Sequence, residues 1–121
     1  RAALDAFFAF AEQRPSAWNL LFRDPPAEAA IAEACAALRA GASAAVAERL
    51  RRHPAAQAAG LTAADPQIAL AAEFLISGMI GVAGRWVPQN PAPRDEVVDS
   101  LLRLAWPGLE QLAASLSSRA R

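Results

Sequence analysis

Apolar residues recur at helical spacing from one end of this chain to the other, and prolines and glycines cut that pattern into blocks of helix length. Leu4, Phe7, Phe8 and Ala11 stand at i, i+3, i+4 and i+7, which places them on one side of a helix. No block shows the alternation of period two that a half-buried strand requires. Val and Ile are sparse, while Ala, the best helix former, is everywhere. The pattern predicts an all-α fold. At 121 residues, 55% of them hydrophobic, the chain is one domain's worth and can hide roughly two-thirds of its unfolded surface.

The punctuation predicts five helices. The first covers 1–13 and ends before Pro15, with Phe10 off its main stripe. A short one follows over 16–23, with Ser16 as N-cap and Trp18, Leu21 and Phe22 inward. Asp24-Pro25-Pro26 is a start signal, Asp as cap and Pro in the first turn, for a long helix over 24–52. Its stripe is Ile31, Cys35, Leu38, Ala42, Ala45, Val46 and Leu50. Arg49, Arg51, Arg52 and His53 crowd its end, where cations suit the negative pole of the helix dipole. Residues 54–64 read as a loop. Asp65-Pro66 starts the fourth helix, over 65–87. Pro88-Gln89-Asn90-Pro91-Ala92-Pro93 breaks the chain, and the last helix covers 94–117. It carries the stripe Val98, Leu101, Leu102, Ala105, Leu109 and Leu112, and Pro107 should bend it.

Several function classes are excluded on residue type. Twelve basic residues balance twelve acidic ones, so this chain lacks the basic surplus that usually drives nucleic-acid binding. One cysteine, Cys35, and one histidine, His53, leave no disulfide, no catalytic triad and no expected metal site. Cys35 reads as a core residue and His53 as a solvated helix end. Gly78, Gly81 and Gly84 follow no strand, so no dinucleotide fingerprint is read there. We expect no enzyme and no cofactor. Glu73 and Arg85 interrupt the apolar stretch 68–87, and the uninterrupted part, 74–84, is too short to span a bilayer. We therefore expect no membrane partner and a cytoplasmic protein.

The fourth helix is the informative one. At about 100° per residue, Ile68, Ala72, Leu75, Met79, Val82 and Trp86 make a face of mostly large side chains. Leu70, Phe74, Ser77, Gly81 and Gly84 make the opposite face, which narrows to small residues. Glycine inside a helix is less favourable than alanine by roughly 1 kcal/mol, so Gly78, Gly81 and Gly84 imply close approach of another helix. That helix is either the first one, within a monomer, or one from a second copy. Five helices have little chain left to cover two faces of one of them, so we expect a homodimer. The last two helices of each copy would form a four-helix bundle across a two-fold axis. The expected interface takes Phe74, Ser77, Gly78, Gly81, Gly84 and Arg85 from the fourth helix. From the fifth it takes Val98, Leu101, Ala105, Gly108 and Leu112.

Over residues 1–112 the chain resembles the C-terminal, effector-binding domain of tetracycline-repressor (TetR) family regulators. The resemblance lies in an amphipathic helix followed by Pro15-Ser16-Ala17-Trp18-Asn19-Leu20-Leu21-Phe22-Arg23 and a long Ala-rich helix. Next come a Gly-rich helix ending Gly84-Arg85-Trp86 and the closing stretch with Trp106-Pro107-Gly108-Leu109. The family's N-terminal helix-turn-helix domain is absent from these residues, so DNA is expected as a partner only through that missing domain. Residues 1–121 are then expected to be a single helical ligand-binding and dimerisation domain. Residue chemistry alone reads the aromatics as a packed core; the resemblance implies a pocket for a small apolar effector among them. The implied lining is Phe8, Trp18, Asn19, Phe22 and Cys35, with Leu38, Leu75, Met79 and Trp86. The alternative is a stand-alone dimerisation or interaction module with a dry core.

Overall fold

The structure, a computed structural model, describes residues 1–24, 26–62, 64–89 and 91–119. Among them are six α-helices and no strand: α1 (Ala2–Gln13), α2 (Pro15–Phe22), α3 (Ala29–Arg51), α4 (Pro54–Ala58), α5 (Pro66–Gln89) and α6 (Arg94–Arg119). The all-α expectation holds; the helix count was one short. The additional helix, α4, lies in the segment expected to be a loop, and five residues are too few to show a helical period. His53 is its N-cap, with Nδ1 accepting the Ala55 N–H at 3.3 Å. Pro54 fills the first helical position, where no donor is needed. The helix closes with Gly60 at φ +70°, as the Gly60 N–H reaches the Gln57 carbonyl and the Leu61 N–H reaches the Ala56 carbonyl. This paired closure wants a left-handed residue, which glycine adopts freely.

Two expected caps move. Ser16 lies inside α2, which starts at Pro15 with Arg14 as N-cap. α3 starts at Ala29 with Glu28 as N-cap, so Asp24 is not its cap; Pro25 and Asn90 lie outside the described residues. Proline at the first position of a helix outweighs a serine one residue later, because its φ is already helical. Asp65 does cap α5: its Oδ1 accepts the Gln67 N–H at 3.0 Å. Pro107 sits inside α6 without ending it.

Helix α5 is the axis of the fold, with α3 packed along it and α1 and α2 against its C-terminal half. Helix α6 runs back across α1 and α4. The α5 residues that bury are Ile68, Ala72, Ile76, Ile80, Ala83, Gly84 and Trp86. The inward stripe is thus turned toward Ile76 and Ile80, and Leu75, Met79 and Val82 are half-buried at its edge. Trp86 donates its indole N–H to the Ala92 carbonyl at 2.7 Å, which pins the proline-rich connection to the end of α5. Arg94 then ties α6 to α1 through Asp5 at 3.0 Å and Glu12 at 3.2 Å.

Candidate functional site

The buried residues fall into two clusters. The first joins Phe8, Ala11, Trp18, Ile76, Ile80, Ala83, Trp86 and Val98. Its rings meet edge to face, Phe8 on Trp86 at 5.7 Å and Phe7 on Phe22 at 5.5 Å between centroids, a favourable arrangement of ring quadrupoles. The second cluster is built from smaller side chains, Ala47, Ala56, Ile68 and Ala72.

The expected lining residues disperse over this frame. Phe8, Trp18 and Trp86 are core, and Phe22 packs against them. Cys35 is buried in α3. Leu75 and Met79 are half-buried, and Asn19 is exposed. Leu38 is 59% exposed and points away from any interior. The aromatic residues pack on one another, and the Trp18 indole N–H is buried there without a hydrogen-bond partner among the described residues.

A cavity of about 380 Å³ opens at the other end of the molecule, between the C-terminal end of α3, α4, the start of α5 and the second half of α6. None of the nine expected lining residues borders it. Its apolar wall comprises Ile68, Ala71, Leu109, Leu112, Ala113 and Leu116. The Leu61 side chain joins that wall because the closure of α4 turns it inward. The polar groups are Arg49, Arg52, His53 and Gln67, with Arg1 and Glu110 at the margin. The His53 ring meets Trp106 at 5.4 Å and 71°, and Trp106 donates its N–H to Glu110 at 2.7 Å. Because Nδ1 of His53 accepts from Ala55, its remaining donor is at Nε2.

The charges around the cavity are partly spoken for. Glu48 receives Arg51 at 2.6 and 2.9 Å and Arg52 at 3.1 Å. The Arg51 hydrogen bonds, followed by that of Arg52, hold the Glu48 carboxyl down to about 2. Arg1 pairs with Asp99, which lowers the Asp99 carboxyl and raises the guanidinium. Arg49 makes no ion pair among the described residues. Sequence reasoning missed this cavity; the readable signal was His53-Pro54, a capping residue before a first-turn proline.

The outward face of α5 is the second feature. Phe74 is 77% and Leu70 65% exposed, and Ser77, Gly78, Gly81 and Arg85 lie on the same side. A Cβ at Gly78 or Gly81 would meet nothing within 4 Å, so no helix of this subunit explains either glycine. Gly84 differs: it is buried, and a Cβ there would run into the Arg23 side chain. Glu73 stands at the edge of this face beside Arg39 at 3.4 Å and Ser77 at 3.0 Å. The expected α6 half of the interface fares worse. Val98 is 1% exposed in the aromatic core, Leu101 packs on that core, and Leu112 lines the cavity. Ala105 is half-buried and Gly108 exposed. The α6 stripe is used within the subunit, so Val98 has no surface to offer a second copy, and neither has Gly84 of α5, which lies under Arg23.

A family model described as Tetracyclin repressor-like, C-terminal domain, matches residues 1–108. The chain belongs to this family. TetR-like C-terminal domains are parts of transcription regulators, and their role is regulatory, in effector binding and dimerisation. No curated protein and no solved structure matches the chain. By length and composition alone α3 and α5 could each cross a membrane. In α5 a third of that apolar window is buried within this fold, and in α3 the apolar residues are largely alanine.

Proposed function

We propose that residues 1–121 form a single effector-binding and homodimerisation domain of a cytoplasmic TetR-like regulator, without catalytic activity of its own. The observation that carries the reading is the division of α5 into two apolar sides. One side is filled from within the subunit; the other exposes Phe74 and Leu70 beside glycines that touch nothing. A second copy laying its own α5 across that face would explain both, and small residues let two helix backbones come close. Helix α6 would join at the exposed Gly108 and the half-buried Ala105, at the edge of its stripe, rather than through Val98.

The effector, a small molecule with an apolar body, would occupy the cavity between α3, α4, α5 and α6, whose volume lies in the range of ligand sites. The aromatic cluster expected to hold it serves as the core. Ligand binding would favour one arrangement of the helices, and through the dimer would shift the spacing of two DNA-binding domains. DNA contact belongs to such a domain and not to these residues, whose net charge is zero.

Sedimentation equilibrium at micromolar concentration tests the dimer: twice 12.7 kDa is expected, and a 12.7 kDa species alone at high concentration overturns it. For the effector, a ligand at about 100 times its Kd should add about 2.7 kcal/mol of stability, read as a thermal shift.

A further inference from the structure

We propose that the cavity between α3, α4, α5 and α6 selects an amphipathic anion, a carboxylate on an apolar body, with the anionic head at Arg49 and His53. The proposal deepens the effector reading above and rests on it. Its ground is the uneven distribution of polar groups around the cavity. The wall is hydrocarbon, from Ile68 and Ala71 on α5 to Leu109, Leu112 and Leu116 on α6. The donors gather where the end of α3, the cap of α4 and the start of α5 converge: Arg49, Arg52, His53 and Gln67. A ligand filling this space has its apolar part along α5 and α6 and its polar part at that convergence.

The sign of the charge follows from what each group already holds. Arg52 is engaged by Glu48, and Arg1 by Asp99. Glu110, the one carboxylate on the lining, is held by the Trp106 indole N–H. Arg49 has no carboxylate among the described residues, and its position in the last turn of α3 suits a cation. His53 is fixed as a donor at Nε2, because its Nδ1 caps α4 and its ring lies edge-on to Trp106. A guanidinium and a fixed N–H on the lining of one largely hydrocarbon cavity, four residues apart in the chain, suit a carboxylate. A cationic ligand would meet three arginines against one glutamate.

The test compares three probes of one length, octanoate, 1-octanol and octylammonium, by calorimetric titration of the full chain. Two variants accompany the wild type. Arg49→Gln removes the guanidinium at the assigned head position, and Ala113→Trp fills the cavity from its wall; circular dichroism checks that both remain folded. Octanoate is expected to bind roughly tenfold or more tighter than 1-octanol, and octylammonium weakest. Arg49→Gln should erase the advantage of octanoate and leave 1-octanol unchanged, and Ala113→Trp should remove both. If 1-octanol or octylammonium equals octanoate in the wild type while Ala113→Trp abolishes binding, the cavity stands and the anion selection is wrong. Advantage retained in Arg49→Gln overturns the assigned head position. If no probe binds, or binding survives Ala113→Trp, the cavity itself is not the site and both readings fall.

Discussion

The two ends of this domain solve the same packing problem with different side chains. At one end Phe8, Trp18, Phe22 and Trp86 interlock around the C-terminal half of α5. At the other, Ala47, Ala56, Ala72 and Ile68 let the helices meet close to α4. Farther out, α6 stands off from α5 and leaves the 380 Å³ cavity. Aromatic residues raise the chance that a space is filled as much as the chance that it receives a ligand. Here the void lies away from the rings, between α5 and α6, with leucines and Ile68 on its wall that do not meet across the gap.

Truncation should separate the two ends most. Phe8 is fully buried and touches rings on two sides, so Phe8→Ala should destabilise by about 3–5 kcal/mol. Ile68 faces the cavity with part of its surface and has fewer contacts to lose, so Ile68→Ala belongs near the low end, about 2 kcal/mol. Urea unfolding of both variants measures the difference. Equal losses would mean that the alanine end is packed as tightly as the aromatic end.

Next in size is the effect at the outward face of α5. Gly81→Leu meets no atom of its own subunit, and leucine is the better helix former. The monomer should therefore keep its stability while the dimer weakens, by about 1–3 kcal/mol as expected for overpacking at a close crossing. Ala58→Leu, exposed on α4, is the control. If sedimentation gives the two variants the same dimer affinity, Gly81 is not at the crossing.

This division also explains how far the sequence could be read. Helical periodicity located five of the six helices, the Asp65 cap and the α6 stripe, since each depends on neighbours in the chain. It placed Val98 and Leu101 in an apolar stripe correctly. It could not say whether α1 and α4 or a second subunit cover that stripe, because both present the same apolar surface to it. The cavity was invisible for a related reason. It is assembled from α3, α4, α5 and α6, and no local pattern encodes the gap between them. Helix α4, too short for a period, carries His53 and Leu61 into it.

A smaller effect should distinguish the defect in the aromatic end from a binding feature. The Trp18 N–H is buried without an acceptor among the described residues, which is unfavourable by about 1–3 kcal/mol. Trp18→Phe removes that donor and some apolar area, and the two changes oppose each other. The net change in unfolding free energy should stay within about 1 kcal/mol of zero, far below that of Phe8→Ala. A loss of the size seen for Phe8→Ala would show that the indole N–H has a partner in solution.

The smallest effect is electrostatic and belongs to the cavity end. Glu48 sits in the last turns of α3 with Arg51 at 2.6 Å and Arg52 at 3.1 Å. These donors bring its carboxyl from 4.5 down to about 2 in the folded chain. The unfolded chain keeps the ordinary value, so between these limits it binds more protons than the folded one, and stability rises with pH. The contribution of Glu48 is therefore fully present above about 4.5 and lost as the pH falls toward 2. All three side chains reach solvent, so the contribution is small and screened by salt. In low salt, Glu48→Gln should flatten part of the acid limb of stability against pH and leave the curve above pH 5 parallel to the wild type. Molar salt should shrink the difference between the two proteins. Wild type and variant losing stability in parallel from pH 4.5 to 2 would show that the Arg51–Glu48–Arg52 contacts do not persist in solution. Arg52 would then be released from Glu48 beside Arg49 on the cavity lining.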